Sequence, residues 1–296
     1  MHWTGQVTPV AFKLGNVSVA WYGIIITFAM ILALCISIKR VKRINISSDD
    51  MLMLFLIAIP IAVICARLGY VVSNYKDYFV SPYDWDAFVD TIAIWNGGLT
   101  IMWGVPGGVL GAFIWSKIYK KDLFKTADIV LPTVLLAQAI GRWGNFFNQE
   151  LYGQLITNPS HQWFPLAVFI ANKGAWYQAT FFYESVLNII GFLLLSFLVR
   201  RIDVKGIGSL GYAAWYCLVR GSLEFIRGER SVIDSMTSVN TVSLFCYIVA
   251  ALSLGIIAFL IVRKHKKGGR IFYKNGIPPL PVETKKTQPE TDLKIK

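Results

Sequence analysis

Charge is scarce in this chain, and acidic charge is scarcest: 17 Asp and Glu stand against 29 Lys and Arg, and the four types together make up 16% of 296 residues. Apolar residues fill the deficit at 55%, with a mean hydropathy of +0.53, far from the balance of a soluble domain. Cysteine is rare as well. Cys35, Cys65, Cys217 and Cys246 each lie inside an apolar block, with no CxxC spacing and no loop position. That argues against a disulfide framework and against a cysteine-held metal, and no metal or other cofactor is expected. The segment ahead of the first apolar block carries Lys13 and lacks a short apolar core followed by a small-residue cleavage site, so the first block is expected to stay in the mature protein. No internal repeat stands out. The net charge of +12 comes from short clusters between apolar blocks and from the tail rather than from a basic domain. A membrane surface explains that charge, and no nucleic-acid partner is expected.

The apolar blocks run about 20 residues each, roughly what a helix needs to cross a ~30 Å hydrocarbon core. The pattern predicts an all-α, polytopic membrane protein with about seven spans, at Val17 to Ile38, Met51 to Val72, Leu99 to Tyr119, Thr126 to Phe146, Thr180 to Val199, Gly206 to Ile226 and Asn240 to Val262. Gly97, Gly98, Gly104, Pro106, Gly107, Gly108 and Gly111 crowd the third, so a broken or re-entrant entry is expected there. Lys39, Arg40, Lys42 and Arg43, then Lys117, Lys120, Lys121 and Lys125, then Arg200, Arg201 and Lys205, and finally Arg263 to Arg270 mark one side as cytoplasmic. The opposite loops offer only Lys13, Lys76, Lys173, Arg227 and Arg230. The N-terminus is therefore expected outside and the C-terminus inside. A seven-helix domain would occupy residues 1–270, with Trp- and Tyr-rich outer loops at 73–98 and 148–179 lying on the bilayer, and residues 271–296 would form a disordered cytoplasmic tail.

On this topology the ionisable residues within the spans share one depth. Arg67, Arg142, Glu184, Arg220 and Glu224 all fall near the outer ends of their spans, and Tyr22 joins them from the first. A charge near the bilayer centre costs at least about 2.5 kcal/mol on insertion scales, so several at one level call for a polar cavity. Arg220, Glu224 and Arg227 follow at i, i+4 and i+7, on one helix face, where the first two can pair. Arginine donates two parallel hydrogen bonds to a phosphate, which makes a phospholipid headgroup the natural ligand. The same residues could also do no more than pin helices together, above all Arg67 and Glu184.

The densest signal runs from Gly141 to Gly153: Gly141-Arg142-Trp143-Gly144-Asn145-Phe146-Phe147-Asn148-Gln149-Glu150-Leu151-Tyr152-Gly153. It resembles the signature of the prolipoprotein diacylglyceryl transferases, G-R-x-G-N-F-x-N-x-E-x-x-G, at every fixed position. The likeness extends to Ala20-Trp21-Tyr22-Gly23, Ala66-Arg67-Leu68-Gly69-Tyr70, Trp95-Asn96-Gly97-Gly98-Leu99, Tyr183-Glu184 and the stretch from Arg220 to Arg227, covering residues from about 15 to 265. The resemblance implies a seven-helix enzyme of the bacterial cytoplasmic membrane. Such an enzyme moves the diacylglyceryl group of phosphatidylglycerol to the lipobox cysteine of a preprolipoprotein, releasing glycerol phosphate. By the same resemblance Arg142 and Arg220 would stabilise the leaving phosphate, and Glu150 and Glu224 would orient those arginines. Tyr22, Asn145 and Asn148 would hydrogen-bond lipid or peptide, with Gly153, Arg67 and Arg227 completing the substrate site.

One position departs from the family pattern. Members usually carry a histidine shortly after the Gly-Gly that opens the third span, whereas this chain reads Leu99-Thr100-Ile101-Met102-Trp103-Gly104-Val105-Pro106-Gly107-Gly108. Of its histidines, His2, His161 and His265, only His161 lies in an outer loop near the proposed site. Two other functions therefore stay open. One is an inactive relative that binds lipid or lipoprotein. The other is an anion transporter, against which stand the absence of a two-fold repeat and of an inner set of ionisable residues beyond Asp128.

Overall fold

The computed structural model describes residues 7–15, 17–79, 85–94, 97–227 and 240–273. The expectations placed on Trp95, Asn96, Arg230 and the tail beyond residue 273 lie outside the described residues. Seven long helices make up the body: α1 Trp21–Val41, α2 Ser48–Ser73, α5 Ile101–Ile118, α6 Leu123–Asn148, α7 Thr180–Arg201, α8 Ile207–Glu224 and α9 Thr241–Lys266. Two short helices, α3 Tyr75–Tyr78 and α4 Trp85–Ile92, bridge α2 and α5. All of the long helices except α8 are long and apolar enough to cross a membrane; α8 matches α5 in length but carries Arg220 and Glu224. Leu56, Leu193 and Leu252 are each about 60% exposed. Large apolar side chains turned outward from several helices form a belt that water would not tolerate and lipid does.

Helix starts follow local chemistry. Ser47 and Asp50 form a reciprocal capping box at the start of α2, and the Asp122 carboxylate accepts from the Lys125 N–H at the start of α6. At α8 the cap comes from another helix: the buried Asp128 carboxylate of α6 accepts from the Gly206 N–H at 2.6 Å and from the Ser209 N–H and hydroxyl at 2.9 and 2.8 Å. A carboxylate there answers the unpaired N–H groups and the positive end of the helix dipole. In the bundle α6 packs against α1, α7 and α8, α9 packs on α8, and α2 and α5 form a tight pair joined to the rest chiefly through α1.

The first span begins later than the hydropathy predicts. Val17–Ala20 is strand β2, paired antiparallel with β1 Val10–Leu14 around Gly15, whose φ is +58°. A short apolar run fits a strand as well as a helix, so hydropathy alone could not separate the two. A second hairpin, β3 Ala167–Ile170 with β4 Ala175–Gln178, sits between α6 and α7. The ends of α6 and α8 and the starts of α1, α7 and α9 therefore gather at one pole, the hairpin pole, opposite a pole rich in Lys and Arg.

The third span is not broken over Ile101–Ile118. Its glycines serve close packing instead: a Cβ on Gly107 would come 2.6 Å from the Cβ of Cys65, and one on Gly111 would come 2.6 Å from the Cα of Ala58. Small residues on both helices let the backbones approach, which is how helices associate in a medium as apolar as their own side chains. Gly111→Leu should therefore cost about 1–3 kcal/mol, as overpacking does, read as a lower melting temperature in detergent. Gly255→Leu should be tolerated, because nothing among the described residues lies within 4 Å of its Cβ position. Equal melting temperatures for the two variants would refute this packing.

Candidate active site

Arg142 sits near the end of α6, and the first turns of α7 run antiparallel beside it. The Ser185 hydroxyl donates to the Ala139 carbonyl at 2.8 Å, which fixes the two helices in register and sets Glu184 against Arg142. One Nη of Arg142 lies 2.5 Å from Glu184 Oε1, and the other donates to Asn145 Oδ1 at 3.3 Å. Both contacts hold the plane of the guanidinium while leaving most of its five N–H groups free for a ligand.

Beyond Asn148 the chain reverses sharply. Gln149 and Leu151 take positive φ values of 51° and 55°, and the Glu150 N–H returns to the Asn145 carbonyl at 3.1 Å. Glu150 thus folds back over the helix end, where one carboxylate oxygen accepts from Asn145 Nδ2 at 2.8 Å and from Asn148 Nδ2 at 3.3 Å. The expectation that Glu150 directly orients an arginine needs correction. The carboxylate on Arg142 is Glu184, and Glu150 reaches that arginine only through Asn145.

The second half of the site comes from α8. Arg220 and Glu224 pair across one helical turn, and the Arg227 guanidinium lies 3.6 Å from the same Glu224 oxygen. The other Glu224 oxygen, Oε1, is buried and has no hydrogen-bond partner among the described residues. An acceptor in that state is costly unless something donates to it. Arg227, just past the end of α8, ties the two halves together. Burial and the neighbouring Arg220 lower its pKa from the usual guanidinium value, Arg142 adds to this, and Glu224 and Glu184 oppose it. Its backbone also forms an isolated antiparallel bridge with Gly153. Gly153 is buried, and a Cβ there would come 2.8 Å from the Ile226 carbonyl oxygen. Close backbone approach by itself requires a glycine at this position, which was expected to contact substrate.

Tyr22, from the first turn of α1, lies against Gly144, where a Cβ would approach the tyrosine ring to 2.6 Å. Aromatic rings wall the pole beside Arg142: Trp143 meets Phe181 edge-on at 5.4 Å, and Trp21 stacks on Phe147 at 5.1 Å. Arg67 is placed differently from the expectation. It is buried and gives its N–H groups to backbone carbonyls, with Nε to Thr91 at 3.1 Å, one Nη to Gly97 and Gly98 at 2.7 and 3.0 Å, and the other to Asp90. Its guanidinium also faces the rings of Tyr70 and Tyr78. Arg67 is thus turned toward the chain around α4, and four donated bonds leave little of its fork for a headgroup.

A model of the prolipoprotein diacylglyceryl transferases matches residues 9–258. The chain belongs to that family. Among its relatives, a protein of Listeria monocytogenes serotype 4a is 36% identical over 264 residues, covering 86% of this chain and 90% of its own. One of Oceanobacillus iheyensis is 37% identical over 271 residues, covering 89% and 91%. One of Clostridium botulinum is 34% identical over 265 residues, covering 88% of this chain and all of its own. Each of the three is named phosphatidylglycerol–prolipoprotein diacylglyceryl transferase.

Two features of this family member's site escaped the sequence. The Arg142–Glu184 pair joins two helices, and nothing in local spacing reveals it. Tyr216, one turn before Arg220 on α8, is half-buried and stacks on Tyr212 with ring centroids 6.0 Å apart; its i−4 position could have been read once Arg220 was placed. His161 is exposed in the turn Pro159–His161, with its N–H bonded to the Asn158 carbonyl at 3.0 Å.

Proposed function

We propose that this protein transfers the diacylglyceryl group of phosphatidylglycerol to the lipobox cysteine of a preprolipoprotein, at the outer face of a bacterial cytoplasmic membrane. The observation that carries the proposal is the meeting of Arg142, Arg220 and Arg227 from α6, α8 and the turn after α8, each on a carboxylate that sets its direction. In the reaction the substrate sulfur forms a bond to a glycerol carbon while that carbon's bond to the phosphate oxygen breaks. Negative charge passes from the thiolate to the departing glycerol phosphate. Guanidinium groups held in place by Glu184 and Glu224 meet that charge without reorganising, the condition under which electrostatic stabilisation is largest. The incoming thiol, with an ordinary pKa of about 8.5, loses its proton more readily beside such groups. The Glu224 Oε1, to which nothing among the described residues donates, is an acceptor for that proton or for a headgroup hydroxyl. Asn145, Asn148 and Tyr22 line the approach, and the wall around Trp143 suits the glycerol and the first acyl carbons. Trp85, Phe88 and Ile92 share one face of α4 and are all exposed, which fits a helix lying in the headgroup layer.

The direct test gives purified protein a lipobox peptide and phosphatidylglycerol and looks for the mass gain of a diacylglyceryl group. Lack of any gain with intact lipid binding would identify a non-catalytic relative instead. Orientation is tested apart from chemistry. A reporter active only outside the cytoplasm should work when fused after Trp163 and fail after Lys121 or Lys267, and the reverse pattern would put the site on the wrong face.

The absent histidine gives a further expectation. Because the arginines favour the thiolate and Glu224 can accept the proton, no histidine is required. A variant with His2, His161 and His265 all changed to Gln should keep activity within roughly tenfold of the parent, about 1.4 kcal/mol in barrier. Loss traced to His161→Gln alone, with folding intact, would make that loop histidine the base.

A further inference from the structure

At the pole opposite the hairpins, a cavity of about 380 Å³ opens between the ends of α1, α6, α7 and the loop into α8. Its wall includes Arg40 from the end of α1, Arg43 from the turn after it, Lys125 from α6 and Arg200 from α7. The two carboxylates in its wall are already engaged, Asp128 by Gly206 and Ser209 and Asp203 by Lys264. Lys205, also in the wall, is paired with Asp122. Among the described residues the charged ends of Arg40, Arg43, Lys125 and Arg200 make no ion pair within 4 Å, so four cations, from α1, the turn after it, α6 and α7, face one space without a paired carboxylate.

Cations at helix ends commonly extend into the headgroup layer and need no ligand. Arg40 and Arg43 do otherwise. Both are half-buried, and the Arg40 guanidinium lies 4.9 Å above the Phe192 ring of α7, turned into the bundle. A second polar group lies in the same wall: Ser196 Oγ is buried and has no hydrogen-bond partner among the described residues. Like charges gathered around an unfilled space repel one another and pay for partial desolvation, and an anion in their midst reverses both terms. Apart from Asn45 and Tyr273 the rest of the wall is apolar, with Ile129, Pro132 and Val199 among its members. That combination suits an amphiphile better than a small free ion.

We propose that this cavity binds the phosphate of an anionic phospholipid, a lipid site separate from the arginine–glutamate cluster at the hairpin pole. The volume admits a phosphate with its glycerol and leaves the acyl chains outside, against the exposed apolar faces of the helices. Basic pockets between helix ends are a recurrent way to hold such headgroups. The site does not depend on the transfer reaction, and its occupant needs no glycerol headgroup.

Native mass spectrometry of the full chain in a non-ionic detergent tests this with phosphatidylserine, which lets the site be read apart from phosphatidylglycerol chemistry. The parent should retain one phosphatidylserine at concentrations where phosphatidylcholine is not retained. Lys125→Gln/Arg200→Gln removes two exposed cations and should weaken retention at least fivefold, and Arg40→Gln/Arg43→Gln should do so at least as strongly. Arg142→Gln/Glu184→Gln, at the other pole, should leave it unchanged. Both cavity variants should still modify a lipobox peptide, so failure of this site and failure of the transferase assignment are distinguishable. Three results would each overturn the proposal: unchanged phosphatidylserine retention in folded Lys125→Gln/Arg200→Gln, equal retention of phosphatidylcholine, or displacement of the lipid by millimolar inorganic phosphate. The last would name the free anion as the ligand.

Discussion

Replacing Arg142 by lysine is expected to lower turnover at least 100-fold, about 2.7 kcal/mol in barrier, while leaving the protein folded. Lysine keeps the charge, but its ammonium is a point donor without the planar fork that addresses two phosphate oxygens at once. In the native site that plane is set by Asn145 on one side and Glu184 on the other, and a shorter, rounder head satisfies at most one of them. Arg142→Ala is a poorer test, because it strands the buried Glu184 carboxylate. Breaking a buried pair from one side costs roughly 3–5 kcal/mol of stability, which would mix folding with chemistry. The double variant Arg142→Gln/Glu184→Gln removes both charges and should recover the melting temperature without recovering activity. Near-parental turnover in Arg142→Lys, or recovered turnover in the neutral pair, would show that this guanidinium has no special place in the reaction.

Arg67→Ala should act on the fold rather than on lipid affinity. The side chain is almost wholly buried, and its donors satisfy the carbonyls of Asp90, Thr91, Gly97 and Gly98. An acceptor left unpaired costs about 1–3 kcal/mol where it is buried, and water reaching the exposed Asp90 and Gly97 recovers part of that. The expected net loss is about 3 kcal/mol, seen as a lower melting temperature and as faster proteolysis between residues 75 and 94. Arg67→Lys should fall between, since one ammonium cannot span acceptors spread along the fork. A headgroup ligand would behave in the opposite way. If Arg67→Ala left stability and proteolysis at parental levels and only raised the KM for phosphatidylglycerol, Arg67 would belong to the substrate site and the tether would be unimportant.

The positions of the long helices were readable because each is an apolar block long enough to span lipid, and the observed limits of α2, α6, α7, α8 and α9 lie within a few residues of those blocks. The Arg220–Glu224 pair was readable for the same kind of reason, since helical spacing alone places i and i+4 on one face. The β1–β2 hairpin was not, because the apolar run at Val17–Ala20 satisfies both periodicities over so few residues. The glycines of α5 misled in the other direction. In isolation they weaken a helix, and only the close approach of Cys65 and Ala58 on α2 turns them into a packing surface.

By itself, then, the sequence determined that the chain lives in lipid, where its helices lie, and that a motif of arginine, asparagine and glutamate stands at the end of α6. Those properties are local: they follow from hydropathy, from charge and from the fixed geometry of a single helix. Which charges meet was decided by tertiary structure. Arg142 could have leaned on Glu150, close by in the chain, yet the register of α6 against α7 delivers Glu184 at 2.5 Å while a left-handed turn at Gln149 sends Glu150 to the asparagines. Arg67 was likewise free to face a ligand until the chain around α4 closed over it and offered four carbonyls. Partners of this kind lie on different elements, and the energy of a buried charge depends steeply on distance and burial. No pattern along one strand of sequence contains that distance.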